Sequence, residues 1–215
     1  MIIDIEGIDG TGKATQTKLL YDHLTSKGYS CILISFPNYS SPSSAPVKMY
    51  LGGDLGDKAE CLDAYQTSSL FAVDRLVTMN RIDLLKYDFV LFDRYVPSNM
   101  IHQSTKIKDK KELDDFLTWV DDFEYNKLKL PRPDITIFLD LPADISFQLS
   151  KNRKELKSGL KKDILESNKN HLTSAYERAK YVATKFNWVN INCVDKKLKS
   201  IEEIHKEILT KLNLK

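Results

Sequence analysis

Five short runs along the chain are apolar or β-branched at nearly every position: residues 1–6, 31–36, 89–93, 135–140 and 188–191. A strand that is hydrophobic on successive positions turns both faces to a core, which happens where helices cover both sides of a parallel sheet. Between these runs the apolar residues take helical spacing. Leu19, Leu20 and Leu24 line one side of the first stretch, Leu70, Phe71, Val73 and Val77 lie in the third, and Ile201, Ile204, Ile208 and Leu212 stripe the last. Strands alternating with helices predict an α/β fold, a five-stranded parallel sheet joined by right-handed crossovers. Residues 38–44 read as a loop too short to link domains. With no internal repeat and no boundary, residues 1–215 are expected to form a single domain.

Composition narrows the class. A chain of 215 residues, 42% hydrophobic and 29% charged, has room for a full core and is not the kind that stays disordered. Thirty-two basic side chains against 30 acidic ones leave +2, which argues against a polyelectrolyte such as duplex nucleic acid as a global partner while allowing a local basic patch. No apolar stretch approaches the roughly 18 residues that span a bilayer. Asp4 and Glu6 interrupt the opening apolar run, so it does not read as a signal peptide. Cys31, Cys61 and Cys193 have neither disulfide-framework nor zinc-site spacing. A reduced, cytoplasmic protein without a membrane partner is expected. Residues 151–170 stand apart, with seven basic side chains (Lys151, Arg153, Lys154, Lys157, Lys161, Lys162, Lys169) against Glu155, Asp163 and Glu166. With few large apolar residues to anchor it, this stretch is expected to pack weakly and move, although a solvated helical hairpin has the same composition.

Gly7-Ile8-Asp9-Gly10-Thr11-Gly12-Lys13 follows the first strand and opens the first helix, satisfying the Gly-x-x-x-x-Gly-Lys part of the Walker A pattern. Glycines let backbone N–H groups converge on phosphate oxygens, and the helix N-terminus adds unpaired donors and positive potential. Lys13 brings a point charge to the β- and γ-phosphates. Ala14 stands where a Ser or Thr ordinarily ligates Mg²⁺, followed by Thr15. Water or carboxylates must therefore carry more of the metal's coordination, and Thr15 is left to bond a phosphate.

Asp93-Arg94-Tyr95 ends the third run, and in open α/β sheets ligands bind beyond the carboxyl ends of the strands. A carboxylate there can hold Mg²⁺ through water and the arginine can clamp a phosphate, or the pair can simply cap the next helix. Pro37 bars Phe36 from helical backbone, placing an aromatic ring at a strand end, where it either stacks on a base or joins the core. Arg75, inside the apolar segment Leu70–Leu76, needs an anion: a carboxylate such as Asp74 or a substrate phosphate.

Together, the loop Gly7–Thr15 with Asp9 inside it, Phe36-Pro37, Arg75, Asp93-Arg94-Tyr95-x-x-Ser98-Asn99 and the basic stretch from 151 resemble thymidylate kinase over nearly the whole chain. The resemblance implies a P-loop NTPase fold with a short mobile lid at about residues 151–166, transfer of the γ-phosphate of ATP to dTMP with Mg²⁺, and a homodimer. It implies that the loop residues Gly7, Ile8, Asp9, Gly10, Thr11, Gly12, Lys13, Ala14 and Thr15 bind ATP, and that Asp9 and Asp93 serve the metal. Phe36 would stack on thymine beside Pro37 and Phe71, with Tyr39 near the deoxyribose. Arg75 and Arg94 would hold the acceptor phosphate and base edge, and Asp9, Ser98, Asn99 and Gln103 would complete the substrate site. His102 stands where the family often has an aromatic, and as a lone histidine on a helix it reads as structural. In one branch of the family the P-loop lacks an arginine and the lid supplies it; this P-loop has none, so the resemblance implies that Arg153, the lid's only arginine, reaches the transferring phosphoryl. Asp9, Lys13, Arg94 and Arg153 would be the catalytic set, and no His–carboxylate base is required because the acceptor phosphate is already ionised.

Two alternatives stay open and a third fails. A regulatory GTPase would need Asn-Lys-x-Asp, but Asn126-Lys127-Leu128-Lys129 ends in lysine. A P-loop protein that binds without catalysing is suggested by Ala14. Another nucleoside-monophosphate or deoxynucleoside kinase is the nearest enzyme, although nucleoside kinases tend to carry Glu-Arg-Ser in place of Asp93-Arg94-Tyr95.

Overall fold

The computed structural model describes residues 1–56, 61–154 and 169–214, with the side chains of 150–154 excepted. Five parallel strands, β1 (Ile2–Glu6), β2 (Cys31–Ser35), β3 (Phe89–Asp93), β4 (Ile135–Asp140) and β5 (Val189–Asn192), form one sheet in the order β2-β3-β1-β4-β5. The strands fall within a residue of the runs read from the sequence. A two-stranded antiparallel ribbon, β6 (Val194–Asp195) with β7 (Lys197–Leu198), adds a feature that two-residue strands leave no periodicity to announce.

Side-chain alternation along β1 divides the molecule. Ile3 and Ile5 point to the layer formed by α1 (Lys13–Ser26) and α8 (Ile201–Lys211), meeting Leu20, Leu24, Ile204 and Ile208. The opposite face, carrying Ile2, Asp4 and Glu6, is covered by α4 (Val96–His102), α5 (Lys110–Asp121) and α7 (Lys169–Lys185), with Phe92, Tyr95, Met100, Phe116 and Val120 in its core. Each buried Leu or Ile contributes about 1.5–3 kcal/mol, so truncating Leu20 to Ala would cost about 2–5 kcal/mol. Helices α2 (Ala45–Gly52) and α3 (Ala64–Met79) flank the β2 end, and α6 (Ala143–Lys154) follows β4.

Two helix faces differ from expectation. In α3 the buried positions are Ala64, Thr67, Ser68, Ala72, Asp74, Arg75, Thr78 and Met79, while Leu70, Phe71 and Val77 are half-buried and Val73 is exposed. The polar residues turn inward because a polar site lies beneath them. In α8 the stripe holds at Ile204, Ile208 and Leu212, but Ile201, in the first turn, is half exposed. Capping boxes, Asp63 with Gln66 and Ser200 with Glu203, set where α3 and α8 begin. None of the described helices is long and apolar enough to cross a membrane.

Strand order decides where chemistry can occur. β1 lies between β3 and β4, and the register Ile5↔Asp93 brings the end of β3 level with the end of β1. The loops leaving these two strands therefore open onto one crevice.

Candidate active site

The loop from Gly7 to Gly12 leaves β1 and turns into α1. A Cβ at Gly7 (φ +154°) would lie 2.8 Å from Thr11 Oγ1 and 3.1 Å from the Leu139 carbonyl oxygen, so only glycine lets the loop pass β4. Gly12 caps the helix with φ +90° and no side chain bonds the first turn, leaving its amides open to an anion. Lys13 is buried and lies back across the loop, its Nζ donating to the carbonyls of Gly7 (2.9 Å) and Ile8 (2.7 Å). Burial and the nearby Arg94 bring its pKa down to about 8, while Asp9, Glu6 and Asp93 oppose the shift. The ammonium thus stays mostly protonated at neutral pH. Ala14 is exposed on the first turn and Thr15 is half-buried behind it.

Arg94 joins the two halves of the site. Its backbone is left-handed (φ +68°), a conformation that costs a non-glycine residue about 1–3 kcal/mol unless its surroundings enforce it. The enforcement is visible on both sides. The buried Glu6 carboxylate accepts from the Tyr95 N–H (2.9 Å) and from Ser98 Oγ (2.8 Å), while the Tyr95 ring stacks on Phe92 at 4.0 Å and 8°. Arg94 Nη2 is thereby aimed at Asp9 Oδ1, with which it forms an ion pair, and Nη1 meets His102 Nε2 at 3.1 Å. Burial alone would raise the Asp9 pKa, but Arg94 and Lys13 outweigh it and hold the carboxyl well below the usual range.

Beside this pair lies a cleft of about 270 Å³, lined by Asp9, Phe36, Pro37, Tyr39, Phe71, Arg75, Arg94, Ser98, Asn99 and Gln103 among others. Every residue expected from the sequence to contact the acceptor substrate therefore borders one cavity, joined there by Leu51, Tyr95 and His102. Phe36 joins the core: 4% exposed, it packs on Phe92 and Tyr95, and it also forms part of the cleft wall. Tyr39 is 52% exposed at the mouth.

Several polar groups are engaged within the protein. Arg75 takes its counter-ion from Glu124, not Asp74, in a bidentate pair of 2.6 Å bonds, and its Nη1 donates to the Tyr95 carbonyl (3.3 Å). Asp74 instead accepts from Ser43 Oγ (2.5 Å) and the Asn38 amide (2.7 Å), tying the loop that carries Tyr39 to α3. The Asn99 amide, expected to help complete the substrate site, donates to the Ser68 carbonyl (3.1 Å) and to Glu124 (2.8 Å). Ser98 donates to Glu6. Both side chains thus brace the cleft wall.

Sequence reasoning missed Glu6 and Glu124 as site builders, named Asp74 only as a possible counter-ion of Arg75, and placed His102 on the helix facing the pocket but read it as structural. Glu6 had a signal, a carboxylate inside an apolar strand that needs donors. Glu124 had none: it lies in a π-helical turn (Asp122–Lys127) whose contact with Arg75 is purely tertiary. Residues 151–154, Arg153 among them, form the last turn of α6 with their side chains outside the description, and residues 155–166 of the expected lid, with Lys157, Lys161, Lys162, Asp163 and Glu166, lie outside the described residues.

The chemistry of the donors suits one kind of metal. Among the described residues, no three His, Cys, Asp or Glu side chains converge as a cage. Asp9 is at the crevice with one carboxylate oxygen beyond its ion pair, and the negative charge of Asp93 acts on Lys13 there. Two carboxylates beside a phosphate loop fit Mg²⁺, which keeps much of its water and takes few protein ligands.

Comparison with known proteins gives a consistent result. Residues 5–208 match the thymidylate kinase family. The chain is 32% identical over 169 residues to the thymidylate kinase of Mycobacterium tuberculosis, covering 77% of this chain and 78% of that one. It is 32% identical over 212 residues to a probable thymidylate kinase of Methanococcus aeolicus, covering 98% and 94%. The thymidylate kinase of Plasmodium falciparum is 27% identical over 209 residues, covering 96% and 87%.

Proposed function

The chain belongs to the thymidylate kinase family and phosphorylates dTMP with ATP in dTTP synthesis; we propose that the loop Gly7–Thr15 receives ATP and the cleft beside Arg94 receives dTMP. One observation carries the assignment of sites. The Arg94–Asp9 ion pair bridges the P-loop and the cleft, so the two phosphate-binding regions share a wall.

Phosphoryl transfer asks a protein mainly to position its reactants and stabilise charge. The first-turn amides of α1 and Lys13 hold the triphosphate tail, and Lys13 leaves the Gly7 and Ile8 carbonyls to meet it. The remaining N–H groups of Arg94 address the acceptor phosphate, and Arg75, its charge already balanced by Glu124, adds a donor wall without demanding a counter-ion from the substrate. Phe36 and Phe71 enclose the base. Arg153, entering with a lid at about residues 151–166, neutralises the transferring group, a role typically worth on the order of 10³–10⁵ in rate. Mg²⁺, held through Asp9 and Asp93, would neutralise charge on the phosphate oxygens.

The enzyme acts as a single kinase domain in the cytoplasm. It works as a homodimer, supported by the apolar stripe Leu70, Val73 and Val77, which α3 leaves only partly covered. Ala14 favours one rival, a binding protein without turnover. A coupled ADP-release assay with and without Mg²⁺, across dTMP, dUMP, dCMP, dGMP and thymidine, separates the possibilities. Metal-dependent turnover greatest with dTMP is expected. Activity confined to thymidine or a purine monophosphate, or none at all, would refute the assignment.

A further inference from the structure

We propose that His102 is a positioning residue for phosphoryl transfer, its imidazole Nε2 accepting a hydrogen bond from Arg94 and so fixing the plane in which the guanidinium meets the acceptor phosphate. The inference rests on reading the cleft as the dTMP site and adds to it the residue that orients its principal cation.

His102 ends α4, one turn beyond Ser98, and both residues border the cleft. Its Nε2 lies 3.1 Å from Arg94 Nη1. A guanidinium has donors only and keeps its protons, so the imidazole must supply the lone pair. That places the ring proton on Nδ1 and leaves the ring uncharged. The surroundings favour the same state. Desolvation and the adjacent Arg94 push the His102 pKa down to about 3, with His171 and Lys13 acting in the same direction and Asp9 opposing them.

The geometry explains why a second partner matters. Asp9 takes Nη2 and His102 takes Nη1, so the planar fork is pinned at two corners by two different elements, the P-loop and α4. With Asp9 alone, the fork could pivot about a single ion pair. The His102 ring is also stacked with His171 of α7, with ring centres 6.1 Å apart and planes 21° from parallel. This support fixes the imidazole itself.

Three variants and one spectrum test the proposal. His102→Phe keeps a ring but has no acceptor, His102→Gln places a carbonyl about where Nε2 stands, and His102→Asn draws it back to the position of Nδ1. Losing a hydrogen bond to a charged group should raise KM for dTMP about tenfold in His102→Phe and His102→Asn. KM for ATP should stay within about twofold, and His102→Gln within about threefold of the parent for dTMP. Should His102→Phe fail to fold, the Gln and Asn variants carry the same comparison. An unchanged dTMP KM in the variants without the acceptor, or a Gln variant as impaired as they are, overturns the proposal. Long-range ¹H–¹⁵N correlation spectra of the parent, recorded without substrate, should show Nδ1 protonated and Nε2 bare. The opposite tautomer refutes the His102 assignment alone, whereas a parent that fails to phosphorylate dTMP refutes only the site's function.

Discussion

Removing the carboxylate of Glu124 should damage this protein more than any surface change, because it strands a charge that cannot be neutralised. The Arg75 and Glu124 side chains are 2% and 1% exposed, and the guanidinium keeps its proton at any accessible pH. Glu124→Ala deletes both 2.6 Å bonds to Arg75 and the 2.8 Å bond from Asn99, leaving a cation buried beneath the cleft. Breaking one side of such a pair costs about 3–5 kcal/mol. For a domain of this size each kcal/mol lowers the melting temperature by about 2–4 °C, so a fall of about 6–20 °C is expected. The control is Glu124→Leu combined with Arg75→Met, which removes both charges. If the cost lies in the orphaned charge, the double variant will be more stable than Glu124→Leu alone, while dTMP binding will suffer in both. Urea unfolding followed by circular dichroism gives the stabilities, and a coupled kinetic assay gives KM. A loss below about 1 kcal/mol in Glu124→Ala, or a double variant no more stable than the single one, would show that Arg75 does not depend on this partner.

The remaining predictions concern other parts of the machinery. Asp4 is fully buried with neither carboxyl oxygen hydrogen-bonded, and burial, then Glu6 and Asp93, raise its pKa well above the ordinary value. The folded chain therefore keeps a proton that the unfolded chain releases above about pH 3.9, so this contribution to stability is lost as pH rises toward the folded pKa. Urea midpoints should fall less between pH 5 and 8 in Asp4→Asn than in the parent, and parallel slopes would contradict the argument. Arg153→Ala should lower kcat far more than it raises KM for dTMP; the reverse pattern would remove this arginine from the transition state. Asp74→Ala should free the loop around Tyr39 and raise KM for dTMP by about 10-fold, as expected for a lost buried acceptor. An unchanged KM would mean that the loop is held without Ser43 and the Asn38 amide.

Much of this site could be read from the chain because its chemistry is local in sequence. Gly7, Gly12 and Lys13 are tied to one strand–loop–helix unit, whose backbone demands those residues at that spacing. Asp93-Arg94-Tyr95 was legible because a strand's end is where an open sheet exposes polar groups. Asp74 and Arg75 show the limit. Adjacent residues of opposite charge suggest a pair, yet successive helical positions point about 100° apart, so each found a partner on another element, Ser43 for one and Glu124 for the other.

From the chain alone came the sheet, its five strands and the phosphate loop, since hydrophobic period and backbone permissiveness are properties of neighbours in sequence; the roster of cleft residues came from the resemblance to thymidylate kinases. Folding settled everything that required separate segments to meet: which carboxylate balances Arg75, that Ser98 and Asn99 brace the wall, and that His102 touches Arg94. Those contacts depend on the direction each side chain takes once α3, α4 and the π-helical turn have packed together, and no one-dimensional spacing encodes that direction.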